Sequence, residues 1–191
     1  MPDQELPVSL FKTQKAWEAW LRKNAAASTG IWVRMAKKNA ALKSINHQET
    51  LEVALCYGWI DGQTKLYDED SWLQKFGPRG PRSIWSKINR EKVLALIKSK
   101  RMRPAGLAAI ERAKANGQWD AAYDSPKNAA PPPDLQKALN ANPKAKAFFA
   151  TLTGSNRYAV LFRIQTAKRP ETRVKRIAKF VEMLEKKETF H

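Results

Sequence analysis

The side chains best suited to chemistry gather in the middle of this 191-residue chain: Cys56, Asp61, Arg79 and Arg82. Gly58-Trp59-Ile60-Asp61-Gly62 places a carboxylate where a helix ends and a strand begins. There Asp61 can serve as a general base, pair with Arg79 or Arg82, or cap the turn through backbone N–H groups. Arg79 and Arg82 stand on a stiff Pro/Gly loop, GPRGPR, that leads into Ser83, Trp85, Ser86 and Lys87. Guanidinium forks, hydroxyls and the free N–H groups of a starting helix suit phosphate recognition, and an exposed Trp85 would offer a stacking face for a base. The competing reading buries Trp85 and pairs the arginines with Asp61 and the Asp68–Asp70 turn.

Other chemistries find less material. Cys56 needs a base or a positive charge to become a nucleophile. The chain has two histidines, and His191 is its last residue. His47 precedes Cys56 by nine positions, ~13 Å along one helix and on its opposite side, so the two cannot pair there. A buried structural cysteine is the expectation. Zinc needs three or four Cys, His or carboxylate ligands, which this chain does not supply in the usual form. Asp68, Glu69 and Asp70 read as a solvated hairpin turn. No nucleotide-binding glycine motif is present. No metal and no cofactor are expected.

Charge is the strongest compositional signal. Thirty-five Lys+Arg against 18 Asp+Glu give +17 and a pI near 10.1. Residues 75–103 carry ten basic side chains and one acid, and residues 157–179 carry eight and one. Such a surplus draws a protein towards nucleic acid or other polyanions. The candidate anion-binding set is therefore Arg79, Arg82, Ser83 and Lys87 with Lys168, Arg169, Arg173 and Arg176. The competing explanation is two Lys/Arg-rich helices with solvated faces. One cysteine excludes an internal disulfide. No window is apolar enough to span a membrane, and MPDQELPVSLFKT has no export pattern. A cytoplasmic location is expected; the oligomeric state is left open.

The elements that must position these groups follow from periodicity and caps. Thr13 caps a helix to about Asn24 with Trp17, Trp20 and Leu21 inward. GIWVRMAKK alternates like a strand. Asn46 and Glu49 form a capping-box pair opening a helix that stops at Gly58. QTKLY and SWLQKF flank the acidic turn as a hairpin. Asn89 is expected to cap a helix with Val93, Leu96 and Ile97 inward. Pro104 starts another carrying Leu107 and Ile110, closed by Gly117. DSPKNAAPPPD reads as a stiff spacer. Beyond it, helices start at Asn142-Pro143, Ser155 and Pro170, the last burying Val174, Ile177, Val181 and Leu184. Its Lys175, Arg176 and Lys179 fall on the outer face and Arg173 reaches inward. The expected fold is α+β, mostly helical, with a small antiparallel sheet of about three strands and a C-terminal three-helix segment. The expected organisation is an α+β core over 1–123, a Pro-rich linker over 124–134, and a helical segment over 135–191, separate or packed onto the core.

Four blocks in order, ALCYGWIDG, PRGPRSIWSKIN, RMRPAGLAAIERAKANGQW and AKRPETRVKRI, resemble the bacterial YdeI/OmpD-associated family, also labelled bacteriocin-protection proteins. The resemblance runs from about Leu10 to Lys187. It implies a small α+β protein with names tied to envelope stress and resistance to antimicrobial peptides. It brings no catalytic residue onto Cys56, Asp61, Arg79, Arg82 or Arg173. Some members are described as periplasmic, whereas this N-terminus has no export pattern. The leading functional expectation is a non-enzymatic stress-resistance module with a basic, anion-attracting surface. One alternative is an enzyme acting on a small anionic substrate through Asp61, Arg79 and Arg82; another is a protein-interaction scaffold.

Overall fold

The structure, a computed structural model, describes residues 6–190. The chain divides into two compact units: the first runs to Ile84 and resumes over Asn89–Asp120, and the second holds Trp85–Ile88 and the chain from Ala121. The first unit is built on four strands, β1 (Val8–Leu10), β2 (Ile31–Ala36), β3 (Trp59–Leu66) and β4 (Ser71–Pro78). Their order is β1-β2-β4-β3. β2 and β3 both run antiparallel to β4, as the alternating residues and the acidic hairpin predict. The sheet is mixed rather than purely antiparallel, because β1 joins β2 in parallel, with Val8 opposite Trp32. Three residues without alternation leave no strand signature.

Two helices cover the sheet face that carries Phe76. α1 (Gln14–Asn24) starts at Thr13, whose hydroxyl accepts from the Ala16 N–H at 3.2 Å. Its Trp17 is fully buried, lies 5.7 Å from the Phe76 ring and donates its indole N–H to the Thr50 carbonyl at 3.0 Å. α2 (His47–Cys56) opens with the expected capping box between Asn46 and Glu49, worth ~1 kcal/mol for the cap. α3 (Lys87–Lys98) and α4 (Pro104–Ala115) complete the helices of this part of the chain. α3 begins two residues before the expected Asn89 cap, where the Lys87 N–H donates to the Tyr123 carbonyl at 2.9 Å. Ile97 and Leu107, expected inward, are 40% and 43% exposed; period alone does not say how wide a buried stripe is.

α4 lies tightly against the end of α2. A Cβ on Gly106 would overlap the Cys56 carbonyl, and one on Gly58 would come within 2.7 Å of the Ala105 carbonyl. Gly58 also has φ +74°, a left-handed value that favours glycine.

The second unit contains four helices, not three: α5 (Pro133–Ala141), α6 (Pro143–Thr151), α7 (Gly154–Gln165) and α8 (Pro170–Glu185). α5 begins inside the expected spacer, with Pro132 as N-cap and Pro133 at its first position. The run of three prolines stops helix propagation, yet its last member tolerates a first turn, where the missing N–H costs nothing. Leu135, Leu139, Phe149, Leu161, Ile164, Phe180 and Leu184 form the core of this unit. Val174, expected inward, is 67% exposed.

Candidate functional site

Asp61 sits at the irregularity that shifts the β3–β4 register between Asp61 and Thr64. The buried Gln74 holds that irregularity, donating its amide to the carbonyls of Gly62 at 2.9 Å and Gln63 at 3.3 Å. Sequence leaves Asp61 open to a general-base role, an arginine partner or a turn cap, and does not point to a histidine. Its Oδ2 lies 3.0 Å from His47 Nε2, at the start of α2. In the acidic turn, Asp68 accepts from Arg34 Nη2 and Ser71 Oγ. Arg79 is buried, 6% exposed, and gives Nη1 to the Ser83 hydroxyl and the Ile84 carbonyl. Trp85 is buried at 3%, so it offers no stacking face. Arg82 remains exposed.

The candidate anion-binding residues fall in different units: Arg79, Arg82 and Ser83 in the first, Lys87, Lys168, Arg169, Arg173 and Arg176 in the second. Lys87 pairs with Asp124 at 2.8 Å. Arg173 reaches inward as expected, with a two-pronged grip on Asp134 at 2.6 and 2.8 Å and a third bond to the Ile164 carbonyl at 2.9 Å. That grip holds the Asp134 carboxyl below its ordinary range. Arg176, expected on the outer face, turns back and donates to the Arg163 carbonyl. Both arginines thus serve the carbonyl end of α7, where the helix dipole favours cations. Lys168, Arg169, Lys175 and Lys179 are exposed and make no ion pair among the described residues.

Two cavities add features that the sequence did not reveal. In the second unit an apolar groove of about 740 Å³ is lined by Pro126, Gly154, Ser155, Tyr158, Phe162 and Arg163. Burial pushes the Tyr158 phenol up to about 12, and its hydroxyl donates to the Asp124 carbonyl at 2.9 Å. In the first unit a pocket of about 160 Å³ is walled by Glu18, Val53, Cys56, Lys100, Arg101 and Arg103. Arg103 donates to Glu18 at 2.6 Å and holds its carboxyl below the usual range. Cys56 is buried as expected, and burial pushes its thiol up, away from the reactive thiolate. No described helix is long and apolar enough to cross a membrane. No group of three or more His, Cys, Asp or Glu among the described residues is placed to hold a metal ion.

These features define an α+β protein whose basic second unit is mainly helical, with one isolated parallel bridge between Ser86 and Tyr123. The chain belongs to the family described as Domain of unknown function (DUF8412), whose model matches residues 9–109, more than half of the sequence. Residues 128–187 match the model described as Bacteriocin-protection, YdeI or OmpD-Associated. Of the four blocks that suggested this family over about Leu10 to Lys187, AKRPETRVKRI lies in the C-terminal match, whereas ALCYGWIDG and PRGPRSIWSKIN lie in the first match. The pocket walled by Arg101 and Arg103 also lies wholly within the first match. No curated protein and no solved structure matches the chain.

Proposed function

We propose that the protein is a non-enzymatic stress-protection module that captures polyanions, nucleic acid among them, on exposed cations of its second unit. The observation that carries this reading is the set Lys168, Arg169, Lys175 and Lys179, four exposed cations with no ion pair among the described residues. Lys175 and Lys179 stand four apart on α8, where like charges repel by ~0.2–0.5 kcal/mol. A polyanion would relieve that repulsion and release its own counterions. The protective role draws on the match of residues 128–187 to the bacteriocin-protection family. A cytoplasmic setting is part of the proposal, in keeping with a single buried thiol.

The enzyme alternative has less to stand on, because Asp61 turns to His47 and Arg79 bonds within its own loop. The test is fluorescence anisotropy with a labelled single-stranded oligonucleotide at low salt. Reversing Lys168, Arg169, Lys175 and Lys179 to glutamate should weaken binding by more than tenfold, whereas Arg82→Glu should change it far less. Equal affinity in the fourfold variant would overturn the proposal.

A further inference from the structure

The connection from α3 to α4 places a left-handed residue beside a pocket. α3 ends in a Schellman-type closure, with the Lys100 N–H donating to the Ile97 carbonyl and the Arg101 N–H to that of Leu96, both at 2.9 Å. The residue that turns left-handed in this closure is Lys100, with φ +57°. Glycine is the default there, and a side chain costs ~1–2 kcal/mol. The same closure ends α8, where Lys187 turns left-handed at φ +59°, so the strain by itself marks no site; the pocket beside Lys100 does.

Lys100 lines the 160 Å³ pocket together with Arg101 and Arg103, three cations facing one lining carboxylate, Glu18. Lys100 itself makes no ion pair among the described residues. Arg101 is 3.5 Å from Glu52, a carboxylate it shares with Lys92 at 3.9 Å. The loop is fixed from behind, since the Arg103 N–H donates to the Cys56 carbonyl at 3.0 Å and Gly106 packs on the same residue. Arg103 is also the N-cap of α4, a helix that starts with proline and has no side-chain cap. Its positive end adds to the local field. The volume is below the ~300 Å³ at which pockets begin to enclose drug-sized ligands. A small ion or a terminal group fits that space; a nucleotide does not.

We propose that this pocket of the first unit binds a small dianionic oxyanion, phosphate or a terminal phosphate monoester, held by Lys100, Arg101 and Arg103. Arg103 exchanges its Glu18 partner for the ligand, and the Lys100 ammonium supplies the charge that no protein carboxylate takes up. Two guanidinium forks and an ammonium match three phosphate oxygens. The inference is independent of polyanion capture by the second unit.

Calorimetric titration of the full chain at low salt with inorganic phosphate, and separately with glycerol phosphate, tests it, with thermal melts of each variant. One molar equivalent should bind. Lys100→Gly should raise the melting temperature by relieving the left-handed strain, yet weaken phosphate binding about tenfold or more; a purely structural lysine would show only the first effect. Arg101→Gln should weaken binding comparably. The variant with Lys168, Arg169, Lys175 and Lys179 reversed should keep this site, which separates it from the surface. Tighter binding of the monoester than of the free ion supports the proposal and makes the ligand a monoester; the reverse supports it and makes the ligand the ion. Absence of binding at millimolar concentration, or binding unchanged in both Lys100→Gly and Arg101→Gln, overturns it.

Discussion

Arg173→Met removes the clamp that joins α8 to the start of α5 and the end of α7. The wild-type guanidinium makes two bonds to Asp134 and one to the Ile164 carbonyl. The ion pair is 28% and 45% exposed on its two sides. Its worth therefore lies near the upper end of the ~0.2–1 kcal/mol of exposed pairs, raised by the two-pronged geometry. The Ile164 carbonyl also accepts from the Ala167 N–H at 3.2 Å, so losing Arg173 leaves no orphan. That bond contributes ~0.5–1 kcal/mol rather than a full desolvation cost. Urea denaturation of the full chain should show Arg173→Met less stable by about 1.5 kcal/mol. Asp134→Asn should cost about 1 kcal/mol, with a coupling of about 0.5–1 kcal/mol in the double-mutant cycle. The sign of the pH dependence follows from the lowered Asp134 pKa. A depressed carboxyl contributes above its ordinary value of ~3.9 and stops contributing as pH falls through its folded value. As pH falls through the depressed Asp134 value, the gap between wild type and Arg173→Met should shrink to the Ile164 part. A variant within ~0.3 kcal/mol of wild type at neutral pH, or strictly additive single changes, would refute the reasoning.

Other substitutions give equally direct readings. Gly106→Ala should cost about 2–3 kcal/mol in urea denaturation, because the new Cβ meets the Cys56 backbone; Gly154→Ala, with open space around it, should be neutral or better. Asn46→Ala should lose ~1 kcal/mol by removing one side of the capping box. Ultraviolet titration should show a tyrosine ionising near 12, absent in Tyr158→Phe. The Tyr158 pKa is raised, so its contribution to stability is intact below ~10 and fades as pH climbs through about 12.

Helix starts were the most legible part of the sequence, because the chain punctuates them locally. Thr13, the Asn46/Glu49 box, Pro104, Asn142-Pro143 and Pro170 each mark a start within a residue or so. β1 escaped because a parallel partner lies two dozen residues away and needs no turn. α5 escaped because its start hides in a proline run. The exposed Ile97, Leu107 and Val174 follow the helical period of their neighbours, and only the packing of other elements decides which side of a stripe is covered. Site residues were legible as types and not as partnerships. Asp61 and His47 meet through the fold, fourteen residues apart. Arg176 lies at an outward position, yet an arginine is long enough to reach back to a helix end. Lys100, Arg101 and Arg103 counted only as charge until the left-handed turn placed them round one pocket.

The salt dependence of oligonucleotide affinity tests polyanion capture most directly. Each phosphate neutralised on a single strand contributes about −0.7 to the slope of log affinity against log salt. If Lys168, Arg169, Lys175 and Lys179 each take one phosphate, the wild-type slope should be about −3, and their reversal to glutamate should bring it near zero. A wild-type slope near zero, or a slope unchanged by the reversal, would contradict the account.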